Sequence, residues 1–181
     1  MCSDGCDIMW GAFIANAIGQ RGREMLEARS EIFIAAPPED VWGLISDLER
    51  GPEWSVVTLA CELTSDGPPG VGSTYRSTSK FASSKVATEH VIVEWARARR
   101  IVSKVVKGAE STFTQTCRAE DEGTVLTMIN RFSAPGALPG FVAERLEQQV
   151  TSTLAEELAR IKEVVEASQD AGEASLEGGT S

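Results

Sequence analysis

The chain has 181 residues, carries 17 Lys and Arg against 27 Asp and Glu, and is 42% hydrophobic. That length suits one domain with a real core, and the net charge of −10 argues against nucleic acid or anionic lipid as a partner. The single histidine, His90, disfavours multi-histidine metal sites and any nucleophilic triad not built on that residue.

Three zones follow in chain order: an extension (1–28), a compact pattern (29–167) and an acidic tail (168–181). In the extension, the apolar run Ile8 to Ile18 is broken by Gly11 and Asn16 and is too short for a bilayer span, which needs about 20 residues. Asp4 and Asp7 stand where a secretory signal wants bases. The expectation is a cytoplasmic protein with no integral membrane association. Cys2, Cys6, Cys61 and Cys117 lack zinc-site spacing. The last two fall in strand-like runs, where a free thiol behaves as a small buried apolar group.

The compact zone opens with a β-type run, Glu31 to Ala35, ended by Pro37-Pro38. Proline is harmless in the first turn of a helix, Glu39 and Asp40 suit its positive end, and Val41, Trp42, Leu44 and Ile45 supply its apolar side. Leu48 to Trp54 reads as a second short helical stretch. From Val56 the period becomes two. Strands are predicted near 57–63, 73–81, 86–95, 101–106, 111–119 and 124–132, separated by turn clusters such as Asp66 to Gly72 and Glu120 to Gly123. The Gly67 to Gly72 turn is a hairpin that could lie over a cavity mouth; it lacks the GK[ST] ending of a phosphate loop. After the Pro- and Gly-rich linker 133–140 the period returns to 3.6. Leu146, Val150, Leu154, Leu158, Ile161 and Val165 mark a long amphipathic helix. The tail has three acids and no base and is expected to be disordered. A run of antiparallel strands followed by a helix implies α+β.

The stretch Ile32-Phe33-Ile34-Ala35-Ala36-Pro37-Pro38-Glu39-Asp40-Val41-Trp42 carries a resemblance, together with Ile45-Ser46-Asp47, Glu53-Trp54, Val71 to Tyr75, Gly123 to Thr127 and the long C-terminal helix. Over about residues 29–167 the chain resembles the START-like (SRPBCC) superfamily, in its polyketide cyclase/dehydrase and lipid transport branch. The resemblance implies a helix-grip fold of order β-α-α-β6-α, in which a curved seven-stranded antiparallel sheet wraps the C-terminal helix around an apolar cavity. It also implies a lipid-like or aromatic ligand, which some members cyclise or dehydrate and others carry or sense.

Strand parity selects the residues that would face such a cavity. In 86–95, Val91, Val93 and Trp95 define an apolar face, which turns His90 outward with Thr88 and Glu94 and brings Glu89 inward. A carboxyl on an apolar wall has a raised pKa and can act as a general base, unless it sits at a wet rim. Tyr75, the one tyrosine, offers both a donor and an acceptor, or is a core residue bonded to backbone. Gln115 and Asn130 share faces with apolar residues and need partners: each other, the backbone or a ligand. A one-residue slip would exchange Asn130 for Arg131. Trp42 and Trp54 plug the small-helix end of the core. Arg97, Arg99 and Arg100 read as a solvated loop.

The expected catalytic candidates are therefore Tyr75, Glu89 and Asn130. The expected ligand-binding set is Trp54, Leu59, Tyr75, Ser77, Val91, Val93, Phe113, Gln115, Met128, Asn130, Phe132, Leu146 and Val150, with no metal and no cofactor. Three functional readings stay open. The first is a binder of a small hydrophobic molecule. The second is a metal-free cyclase/dehydratase relying on proximity and proton transfer. The third is a protein-interaction module of co-chaperone or ribosome-associated type. No nucleic-acid partner is expected, and a homodimer is compatible with all three.

Overall fold

The computed structural model describes residues 25–81, 83–134 and 138–177, with the backbone alone for 81 and 170–177. Most of the N-terminal extension (1–24), Ala82, the middle of the 133–140 linker and residues 178–181 lie outside the described residues. The first strand, β1 (Met25–Ile34), alternates buried Leu26 and Ala28 with exposed Glu27 and Arg29, as a strand with one solvated face should. It starts four residues ahead of the expected domain limit at 29. Pro38 then opens α1 (Pro38–Ile45), whose Val41, Trp42, Leu44 and Ile45 are buried. A 3-10 turn (Leu48–Arg50) and the four-residue α2 (Gly51–Trp54) follow.

The remaining strands are β2 (Thr58–Leu63), β3 (Thr74–Phe81), β4 (Ser84–Ala96), β5 (Arg100–Lys107), β6 (Ser111–Glu120) and β7 (Gly123–Ser133). They form one antiparallel sheet of order β1-β7-β6-β5-β4-β3-β2, so the first strand pairs with the last. Pairing from Met25↔Ser133 to Ile34↔Thr124 is unbroken. The β6–β7 hairpin turns at Asp121, which takes a positive φ of 49°. Gly123 lies there against the Ile34 carbonyl and the Phe33 ring, with no room for a side chain. At the opposite side the sheet is irregular. The register shifts at Thr58/Ala60 in β2, and at Glu89/His90 and Ile92/Glu94 between β4 and β5. Such bulges bend strands and raise their twist.

The helix α3 (Gly140–Glu177) closes the molecule. Its Leu146, Leu154, Leu158, Ile161 and Val165 join Leu26, Ile34, Leu126, Met128 and Trp42 in the core. It packs chiefly along β1. It also continues past the expected limit at 167, where disorder was the expectation. Residues 168–177 include the good helix formers Gln, Ala, Glu and Leu, and the largest propensity cost among them is that of Gly172, about 1 kcal/mol. Gln169 anchors the extension by donating to Asp40 on α1 at 2.8 Å. The elements and their order match the helix-grip expectation.

Candidate functional site

Where α3 leaves the sheet uncovered, between α2, β2–β7 and the helix, there is a cavity of about 420 Å³. That is within the size range of small-molecule sites. Strand alternation supplies one wall. Tyr75 and Ser77 come from β3, His90 from β4, Ser103 from β5, Ser111, Phe113 and Gln115 from β6, and Met128, Asn130 and Phe132 from β7. Trp54 and Ser55 close one end, and Val150, Thr153, Leu154 and Glu157 of α3 form the facing wall. Lys80 and Gln149, both exposed, stand at the rim.

The polar groups on the sheet wall are organised in two sets. The Tyr75 hydroxyl donates to Ser103 Oγ at 2.8 Å, and its ring stacks on His90 with centroids 4.5 Å apart and planes 8° apart. Thr88 Oγ1 holds His90 Nε2 at 2.8 Å, which leaves Nδ1 buried with no partner among the described residues. His90 is only 5% exposed. Burial alone lowers its pKa to about 4, so the imidazole is neutral at pH 7. Burial pushes the Tyr75 phenol well above its ordinary range, although the Ser103 bond opposes this. In the second set, Ser111 Oγ donates to Asn130 Oδ1 at 2.6 Å. Asn130 thus finds a serine and not Gln115.

The helix wall carries one carboxyl. Glu157 is 6% exposed and accepts a hydrogen bond from Ser55 Oγ at 2.5 Å. Burial raises its pKa, while the bonds from Ser55 and the Val56 backbone and the charge of Arg160 lower it. The indole Nε1 of neighbouring Trp54 is buried and unpartnered among the described residues. Cys61 lines the cavity as a neutral thiol, pushed up to about 11 by burial and the nearby Glu49 and Glu62. Cys117 is a core thiol pushed up to about 12 by burial. Among the described residues, no three His, Cys, Asp or Glu side chains come together as a metal ligand set.

Nine of the thirteen residues expected at a ligand site thus border this cavity: Trp54, Tyr75, Ser77, Phe113, Gln115, Met128, Asn130, Phe132 and Val150. The other four do not, and neither does Glu89. Leu59 and Val93 are the extra residues of the β2 and β4 bulges and are 44% and 39% exposed. The β4 bulge also explains Val91, Glu89 and His90. Trp95 does face inward, where its ring meets Trp42 edge-on at 5.1 Å, but it lies beyond the bulge. Parity counted back from it is therefore inverted before residue 93. His90 points inward, while Glu89 sits on the outer face between Arg76 at 3.5 Å and Lys107 at 3.3 Å. Leu146 belongs to the packed stripe of α3 instead of the cavity. The register on β7 is as expected, with Arg131 outward and paired to Glu27. The Asp66 to Gly72 turn does not border the cavity.

Sequence reasoning passed over Glu157, Ser103, Ser111 and Thr153. For Glu157 a signal existed: it lies three residues after Leu154 and four before Ile161, inside the apolar stripe of a long helix, where a carboxylate is out of place.

Among solved structures, the fold is shared with a protein from Thermus thermophilus (24% identity, 78% of this chain and 98% of that one, TM-score 0.65). It is also shared with the Zhui aromatase/cyclase from Streptomyces sp. R1128 (18% identity, 79% and 94%, TM-score 0.65). The di-domain ARO/CYC StfQ from the steffimycin biosynthetic pathway shares it too (17% identity, 82% of this chain and 52% of that one, TM-score 0.67). No curated protein matches the chain in sequence. The sequence profile described as polyketide cyclase / dehydrase and lipid transport matches residues 25–166. With that match over most of its length, and with a seven-stranded sheet gripping one long helix, the chain belongs to the polyketide cyclase / dehydrase and lipid transport family of the START-like superfamily.

Proposed function

We propose that this protein binds a small, largely apolar molecule, aromatic or lipid-like, between the sheet and α3. The observation that carries this reading is the cavity itself: about 420 Å³, bordered by Phe113, Met128, Phe132, Val150 and Leu154, with a few polar groups converging on it. A void this large forfeits core packing, so it is retained only where something fills it. An interaction module would have no use for it. No helix among the described residues is long and apolar enough to cross a membrane.

A second reading, a cyclase or dehydratase, is favoured by one feature: His90, whose buried Nδ1 has no partner among the described residues, borders the same cavity as Tyr75. Of the residues expected to be catalytic, Tyr75 and Asn130 stay available and Glu89 does not. Binding comes first because an imidazole with pKa about 4 is a weak base at neutral pH, far from the value that best serves proton removal. Native mass spectrometry of freshly purified protein tests the order. A co-purifying small molecule, bound without turnover, supports the carrier. Turnover of an added poly-β-ketone that is lost in Tyr75→Phe, with the fold intact, supports the enzyme. Failure to bind any hydrophobic probe, such as 1-aminoanthracene, sinks both.

A further inference from the structure

We infer that the α2–α3 end of the cavity is a subsite for a hydroxyl group, so that the ligand is a hydroxylated hydrophobic molecule, a phenol or an alcohol, oriented with that hydroxyl against Trp54 and Glu157. This rests on the cavity-binding reading and adds the ligand's chemistry to it.

Two groups carry the inference. The Trp54 indole is a donor with no acceptor capacity, and its Nε1 is buried and unpartnered among the described residues although the side chain borders the cavity. The Glu157 carboxyl borders the same cavity from α3, and its Oε1 already holds the Ser55 hydroxyl. Ser55 is the residue after Trp54, and its Oγ also receives the backbone N–H groups of Val57 and Thr58 at 3.3 and 3.0 Å. The serine is thus spent on holding the carboxyl and the α2–β2 turn. Such a pair offers one N–H to a ligand oxygen and carboxyl lone pairs to a ligand proton. A ketone or ether satisfies only the indole. A hydroxyl engages both at once, and the indole N–H, which has no partner among the described residues, is costly to leave unmet in a buried site.

The test uses a matched pair of neutral probes, 2-naphthol and 2-methoxynaphthalene, which share the ring and the acceptor oxygen and differ in the hydroxyl proton. Affinities are measured by fluorescence titration at pH 7 on the wild-type chain and on Trp54→Phe, Glu157→Leu and Glu157→Gln. The wild type should bind 2-naphthol about 10-fold more tightly than the ether. Glu157→Leu should bring that ratio to about 1 by weakening 2-naphthol more than the ether, and Glu157→Gln, which keeps an acceptor oxygen, should restore part of it. Trp54→Phe should weaken both probes several-fold. A purely structural role for Glu157 would move both probes together. Equal binding of the two probes by the wild type, or an unchanged ratio in Glu157→Leu, overturns the subsite and leaves the cavity reading standing. No binding of either probe by the wild type overturns both.

Discussion

His90 offers a quantitative check on the cavity wall, because it is the only histidine in the chain. In the fold its pKa is lowered from 6.5 to about 4, and burial is the single cause. Tyr75 stacks on one side, Phe113 lies 6.0 Å away, Thr88 bonds Nε2, and no carboxylate among the described residues compensates a positive charge. Between pH 4 and 6.5 the unfolded chain therefore binds a proton at this site that the folded chain does not. Its contribution to stability is complete above pH 6.5 and is lost as pH falls through that window. A shift of this size corresponds to about 3 kcal/mol over the whole window, of which about 2 kcal/mol is gone by pH 5. Glu157, whose pKa burial raises, works in the opposite direction and must be cancelled by comparison.

The comparison is wild type against His90→Gln, which carries no titrating group at position 90. Urea unfolding at pH 7 and pH 5 gives the stability of each. The wild type should lose about 2 kcal/mol more than the variant over that interval, a midpoint difference of roughly 1 M urea. A lone imidazole also gives a single Hε1 resonance. That resonance should hold its shift from pH 7 to pH 5 in the folded wild type. A resonance titrating with a midpoint near 6.5, or equal acid losses in the two proteins, would refute the buried, unpaired placement of His90 and with it the inverted parity of β4.

Three further outcomes follow from the same geometry. Glu89→Gln should cost less than about 0.5 kcal/mol in urea unfolding and leave 2-naphthol binding unchanged, because Glu89 is 38% exposed in its pairs with Arg76 and Lys107 and exposed pairs are worth little. A loss of binding would place Glu89 inside after all. Ser77→Leu should weaken 2-naphthol more than 10-fold with an unchanged or higher melting temperature, since the added side chain enters open space and not packed core; unaltered affinity would mean that the probe binds elsewhere. Gly123→Ala should lower the melting temperature by roughly 6–12 °C, from an overpacking cost of about 3 kcal/mol, because the new methyl meets the Ile34 carbonyl and the Phe33 ring. A smaller drop would show that the β1–β7 corner can shift.

How far the sequence could be read depended on the kind of signal each segment carries. The Pro37-Pro38-Glu39-Asp40 start of α1 and the apolar stripe of α3 are local signals, and both elements stand where those residues put them. On β7 and β3 the alternation is unbroken, so counting by twos brought Met128, Asn130, Phe132, Tyr75 and Ser77 to the cavity. On β2 and β4 the same count failed for one physical cause. A bulge adds a residue without a composition signal: neither Leu59 nor Val93 is a glycine or a proline, and each fits a strand. The register shift belongs to the pairing with the neighbouring strand, which no single segment encodes. Over 168–177, where the helix continues, acidic, alanine-rich composition suits a helix as well as a disordered chain.

The long helix shows why a cavity and a core can come from one amphipathic pattern. Leu146, Leu154, Leu158, Ile161 and Val165 make the packed stripe. Beside it runs a row four residues apart, Gln149, Thr153 and Glu157, and all three border the cavity. In sequence Gln149 and Thr153 are indistinguishable from the polar flank of any surface helix, and only Glu157 falls within the apolar stripe. In the fold it passes from exposed Gln149 through half-buried Thr153 to buried Glu157, so it leads from the rim to the Trp54 end. The inner end of the row is buried against a cavity because α3 packs chiefly on the regular β1–β7 side of the sheet, while residues of the bulged side, β2 to β5, border the cavity. The bulges that defeated strand counting therefore lie on the side of the sheet that borders the space in which Glu157 is a buried carboxyl instead of a surface charge.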